Sequence, residues 1–425
     1  MITAAFFRAG FSWVGPFRVG PVSPQPSPRS RLLLGGLFFL QAHAIALWFV
    51  PFSSVLKEHG LGGITSWAFA SSGVAAFFSP MLTGVLADRK LSPSVLLRLL
   101  ALGMAVLLSL TFLAIEKGWG AAWVLGLVQV LQFFSAPTWG LSSMLVLAQL
   151  RDPGRHFGPL RVWGTYGWMI AGFLVSMVLH ADGSTLTGFA AALAWLGVAG
   201  FTFLLPAAPP QTARRPLEWR ELFGLETFSI LRDPQHRAVF LGAGLLSIPL
   251  AAFYPYTPMH LQDLGVYGGS AVMSIGQVSE ALSMYAVARL LTEVRLGPLL
   301  NSAIAVAVLR YVLFATDSVW GLLAGVFLHG ICFTLFFIPA QIYIEQRLPK
   351  EMRFRAQALM TLLISGFGNL LGYIGCGALR TWCGGEGQTR WGLYWGVLAG
   401  VVAAVWAYFW LAYRDPVAAE SVCSK

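Results

Sequence analysis

The sequence predicts an all-α, polytopic membrane protein with about twelve transmembrane helices in two six-helix bundles. Three observations carry this. Hydrophobic residues make up 57% of the 425 and charged residues only 11%, at a mean hydropathy of +0.70, whereas soluble domains carry about a quarter charged residues. Apolar runs of the ~20 residues needed to cross a bilayer recur along the whole chain. Lys and Arg collect in alternate joints between those runs, as the positive-inside rule requires. A soluble fold could not bury so much apolar surface, and a bilayer accommodates it directly.

Taken in order, the spans read as 32–55, 62–86, 95–115, 121–147, 159–180, 186–206, 238–261, 269–292, 297–316, 319–345, 355–379 and 391–413. Residues 1–30, rich in Pro, Ser and Arg, read by default as a disordered N-terminal arm, whose aromatic and basic residues could also rest on the inner leaflet. Residues 31–206 form one six-helix bundle and 238–413 the other. Between them, 207–237 is the longest hydrophilic stretch and reads as a cytoplasmic linker, and 414–425 is a tail. One set of joints carries Arg89, Lys90, Arg98, Arg151, Arg155, Arg214, Arg215, Arg347, Lys350 and Arg353, and the other set keeps only Lys57, Lys117, Arg380 and Arg390. This bias places both termini in the cytoplasm.

The halves echo each other. Pro93 and Pro298, which close the joints after the second and eighth spans, lie 205 residues apart, and Pro137 and Pro339, each following a Phe-Phe pair, lie 202 apart. Two landmarks at nearly one offset suggest a duplicated unit.

The net charge of +10 orients the chain in the membrane and does not call for nucleic acid. The four cysteines form no CxxC pair and no metal-ligand spacing. No glycine-rich phosphate loop and no nucleophile–base–orienter set is present, so neither an enzyme nor an ATP-driven pump is expected, and no cofactor or metal.

Function should show in polar residues within the spans, because an ionisable group in hydrocarbon costs at least ~2.5–3.5 kcal/mol. Glu280 lies near the middle of the eighth span, with Gln277 three residues earlier on the same face. A carboxylate in a partly dry cavity can load and release a proton, and it can accept hydrogen bonds from a solute. The alternative is permanent pairing with a helix-borne Arg. In the fifth span Arg161, Thr165 and Trp168 share a face and offer a charge, a hydroxyl and a stacking ring. Arg161 could instead snorkel to the inner phosphates. Arg310 in the ninth span has no polar company in its own helix, which points to a structural partner or to backbone carbonyls. In the tenth, His329 either titrates or makes an interhelical hydrogen bond, and Phe333, one turn on, can stack on a ring.

These residues bring a likeness into view. Six plus six spans, with Gly84-Val85-Leu86-Ala87-Asp88-Arg89-Lys90 after the second, resemble the major facilitator superfamily, in which that Asp and Arg hold the halves together on the inner side. Arg161-Val162-Trp163-Gly164-Thr165-Tyr166-Gly167-Trp168, Gln277-Val278-Ser279-Glu280 and His329-Gly330-Ile331-Cys332-Phe333 look like signatures of its nucleoside:proton symporters. Thr334 stands where an Asp is usual, and Ser247-Ile248-Pro249-Leu250 lacks the family's Gln and Asn. The resemblance implies a midplane site of Arg161, Thr165, Trp168, Gln277, Glu280, His329 and Phe333, with Glu280 coupling the proton and Asp88 and Arg89 forming an inner gate.

The expected function is secondary active, proton-coupled uptake of nucleosides by alternating access, in a bacterial-type inner membrane and as a monomer. The same chemistry would suit a sugar or oligosaccharide symporter. From another class, a non-transporting membrane sensor would bind ligand without flux.

Overall fold

The computed structural model describes residues 27–87, 92–150, 153–205, 225–384 and 389–415, and the Asp88–Arg89 motif lies outside them. Among the described residues there are twelve spanning helical units and no strand. They are α1 (Pro28–Glu58), α2 (Thr65–Ala87), α3 (Pro93–Glu116), α4 (Ala121–Ala148), α5 (Pro153–Phe173, continued by a π-helical stretch Leu174–Val178) and α6 (Leu186–Phe201) in the first half. The second half holds α7 (Pro234–Asp263), α8 (Gly269–Glu293), α9 (Leu296–Ala315), α10 (Val319–Arg347), α11 (Lys350–Thr361, π-helical Leu362–Gly368, then Asn369–Trp382) and α12 (Trp391–Ala412). Among the described residues, eight of these helices are long and apolar enough to cross a membrane on length and composition alone. A polytopic membrane protein follows, since in lipid only helices or closed barrels satisfy their backbone.

Local chemistry sets the helix starts. The side chains of Ser27, Ser92, Asp233 and Ser318 each accept a backbone N–H from the first turn that follows, and Pro stands at the first turn of α1, α3 and α7. Asp233 takes the N–H groups of both Gln235 (2.8 Å) and His236 (3.0 Å). Those bonds, the one from His236 foremost, hold its carboxyl below the usual carboxylate value. The cap therefore stays charged above the unfolded value of about 3.9 and is lost only as pH falls through the lower folded value. This cap and Pro234 start α7 ahead of the expected 238, and α5 likewise starts at Pro153 rather than 159. Pro51 and Pro137 break α1 and α4, and α7 turns just after Pro249.

The packing repeats. In the first half α1 lies against α5, α3 against α6, and α2 against α4. In the second half α7 lies against α11, α9 against α12, and α8 against α10, the same pairs advanced by six helices. The halves meet along α2–α11 and α5–α8. Gly172 makes the second contact possible: a Cβ there would stand 2.3 Å from Ser274 Oγ and 2.5 Å from the Ser270 carbonyl oxygen. Ser274 Oγ in turn donates to the Met169 carbonyl across the joint (3.3 Å).

At the end of the bundle away from the chain termini the halves are latched. Lys57 pairs with Asp263, and Gln262 donates to Glu58. Asp182 accepts the Ser270 N–H (2.7 Å), and Ser176 Oγ accepts the Ala271 N–H (2.9 Å). The second oxygen of Asp263 accepts the Trp391 indole N–H at 2.8 Å.

Because the Gly172 contact is with backbone, Gly172→Val is expected to cost about 1–3 kcal/mol, as other overpacked sites do. A lower melting temperature of the purified protein in detergent, with loss of transport, is the expected result. Wild-type melting would show that α5 and α8 do not pack this tightly.

Candidate functional site

Glu280 lies midway along α8 and is only partly buried. Its depth depends on close packing with α10. A Cβ on Gly330 would fall 2.2 Å from the Glu280 nitrogen and 2.3 Å from the Gly276 carbonyl oxygen, so the two backbones touch where only glycine fits. Across the joint, Arg161 of α5 is close enough for its charge and that of Glu280 to attract. Among the described residues Glu280 nevertheless takes no direct ion pair. It is a partly buried acid answered by a cation at a distance rather than locked to one. The Arg161 guanidinium lies over the Trp139 ring, 4.8 Å from its centroid. That ring is held where α4 restarts after Pro137, so Arg161 is anchored inside the bundle.

Gln277, one turn before Glu280, is buried and donates to the Tyr254 hydroxyl at 3.3 Å. Tyr254, on α7, joins the halves. Its ring meets Phe49 of α1 at 5.3 Å and Trp168 of α5 at 5.9 Å, and Phe49 meets Trp168 at 6.2 Å. These three rings meet from both halves, beside Gln277. Thr165 is half-buried on the same helix as Arg161 and Trp168.

His329 of α10 stacks on Phe253 of α7 at 3.7 Å and bonds to Arg310 of α9. Phe333, one turn on, is 37% exposed and packs on Phe337 at 4.8 Å. The structure therefore brings Trp168 and Gln277 to Tyr254, sets Glu280 one turn beyond Gln277 with Arg161 across the joint, and puts His329 and Phe333 on α10. Two other polar residues in the spans bond to backbone carbonyls of neighbouring helices. Gln129 donates to the Ser71 carbonyl (3.3 Å), and His43 bonds with the Gly167 carbonyl (3.1 Å).

Sequence reading does not single out Tyr254, Phe253 or Trp139 as site residues, and the structural partner it expects for Arg310 is a set of side chains, His329, Cys332 and Tyr311, rather than backbone carbonyls. Its one available signal was the run Phe253-Tyr254-Pro255-Tyr256, aromatic residues with polar tips beside helix breakers in the seventh span.

Two six-helix halves meeting over a mid-membrane acid define a secondary transporter of the major facilitator type, not an enzyme. The nucleoside H+ symporter family model matches residues 30–418, and the chain belongs to that family. It is 31% identical to YegT of Escherichia coli strain K12 over 355 residues, which is 80% of this chain and 82% of that protein. It is 27% identical to the nucleoside permease NupG of the same organism over 386 residues, 85% and 90% of the two chains. The crystal structure of the nucleoside transporter NupG superposes with a TM-score of 0.80 at 24% identity, covering 91% of this chain and 99% of that one.

Tyr254→Phe removes the acceptor of the Gln277 amide and keeps the ring. Substrate affinity in the purified protein is expected to fall about fivefold, the worth of one hydrogen bond, with melting unchanged. Undiminished affinity would remove Gln277 and Tyr254 from the site.

Proposed function

We propose that this protein takes up nucleosides with protons by alternating access, as a monomer in a bacterial inner membrane with both termini in the cytoplasm. The observation that carries the reading is Glu280: a partly exposed carboxylate at mid-span, facing Arg161 across the joint and not directly paired among the described residues. A membrane acid in that state has a reason to be there only if protons or solutes visit it. The relation to NupG supports a nucleoside as the solute.

Each residue then has a task. Ribose hydroxyls donate to Glu280 and meet the Gln277 amide, and the base stacks against Trp168 or Phe333. A proton on Glu280 cancels its attraction for Arg161, which ties the charge state of the acid to the fit of α5 against α8. The latch of Lys57, Glu58, Gln262 and Asp263 lies on the outer side in this orientation and holds the outer mouth shut. Rocking of the halves about α2–α11 and α5–α8 exposes the site to each side in turn.

Proteoliposomes with an imposed inward proton gradient should accumulate uridine or adenosine, and a protonophore should abolish the accumulation. Accumulation of sugars in place of nucleosides would overturn the substrate assignment. Glu280→Gln should still bind and equilibrate the nucleoside without concentrating it, and full concentrative uptake by that variant would remove Glu280 from coupling. Asp263→Asn weakens a part-exposed ion pair worth about 0.2–1 kcal/mol. It should therefore raise the rate at which an impermeant thiol reagent added outside labels a cysteine placed at Ser53. An unchanged rate would mean the pair does not hold the outer mouth.

A further inference from the structure

Arg310 is fully buried in α9 and, among the described residues, has no carboxylate partner. Its Nη1 reaches His329 Nδ1 at 2.9 Å and Cys332 Sγ at 3.8 Å, and its Nη2 donates to the Tyr311 hydroxyl at 3.5 Å. The guanidinium lies 4.9 Å from the Phe253 ring centroid, 4.7 Å from that of Tyr311 and 5.3 Å from that of Phe314. Aromatic faces thus do for this cation what an acid would otherwise do.

The bond to His329 fixes more than position. A guanidinium offers donors only and stays protonated in proteins. The histidine nitrogen facing it must therefore present a lone pair. With Nδ1 as acceptor, the hydrogen of the neutral ring sits on Nε2. The other tautomer, and the imidazolium, would set N–H against N–H at 2.9 Å. A ring flip would trade the bond for a C–H, and the ring is stacked on Phe253 at 3.7 Å and 21°.

Nε2 has no protein partner among the described residues, and it is not among the fully enclosed polar atoms of the structure. The His329 Cδ2 edge lies against Gly276 of α8, next to Gln277. Charged or titratable groups around the ring are Arg310 from α9, Tyr254 from α7, Cys332 from its own helix and, beyond Gly330, Glu280 of α8.

We propose that Arg310 is a positioning residue that holds His329 as the neutral Nε2–H tautomer, so that His329 is a standing hydrogen-bond donor for a carbonyl of the base and carries no coupling proton. The base-reading part rests on the nucleoside assignment made above, and the tautomer part does not. The arrangement also separates labour within the site. Glu280 exchanges protons and accepts hydrogen bonds, whereas His329 only donates.

The test is a nitrogen-15 NMR spectrum of histidine-labelled protein in nanodiscs, with His329 assigned by difference from His329→Gln. Wild type should show His329 protonated on Nε2 alone across the physiological pH range. A proton on Nδ1, or an imidazolium in that range, overturns the proposal. Arg310→Lys, which keeps a cationic donor, should retain the Nε2–H signature, and Arg310→Met should show mixed tautomers. If the Met variant fails to fold, the wild-type and Lys spectra decide. In uptake assays His329→Phe should raise the KM for uridine about fivefold with little change in maximal rate, as loss of one hydrogen bond predicts. An unchanged KM overturns the base-reading part. Wild type that does not carry uridine at all overturns the nucleoside assignment and that part with it, while the spectra still decide the role of Arg310.

Discussion

The organisation of this protein turns on the cost of placing charge in hydrocarbon. Arg161, Arg310 and Glu280 lie deep within the spans, and each cost is met differently. Arg310 is enclosed by three aromatic rings and His329, all in the second half, and gives a permanent, dry solution. Arg161 is anchored on Trp139 in the first half, and the acid it attracts sits in the second. That solution is divided across the joint, so it changes whenever the halves move. A charge satisfied inside one rigid half stabilises that half. A charge satisfied between halves makes the cost of solvation part of the conformational equilibrium.

Close packing gives this electrostatic arrangement its precision. Gly172 brings α5 against α8, and Gly330 brings α10 against α8. The eighth helix is thereby gripped from both sides, by the opposite half and by its own. The ring cluster of Phe49, Trp168 and Tyr254 ties three helices from the two halves together beside Gln277. Close approach through small residues is the usual way membrane helices gain contact where lipid supplies no hydrophobic drive.

Much of this was legible beforehand. Hydropathy and the basic joints sufficed for twelve spans, since the bilayer fixes both length and polarity of a crossing helix. Glu280 and Gln277 stood out because a carboxylate amid apolar residues is costly, and because two residues three apart share a face. Tyr254 did not stand out, because its importance comes from Phe49 and Trp168, which are distant in sequence and adjacent only after the halves close. Arg310 looked solitary because His329, Cys332 and Phe253 reach it from α10 and α7, and because its neighbours on α9, Tyr311 and Phe314, act through a hydroxyl and ring faces. Helix starts shifted wherever a proline and a capping side chain, as at Asp233-Pro234, began the helix before the apolar run did. The Asp88–Arg89 motif lies outside the described residues.

The latch at the far end has a property that its geometry alone does not advertise. Lys57 and Asp263 are each about a third exposed, at 31% and 33%, so dissolved ions reach them. When Lys57 departs, Asp263 is not abandoned, because the Trp391 indole still donates to its other oxygen. Added salt therefore screens this one contact of the latch, and the Trp391 bond keeps Asp263 oriented when it weakens.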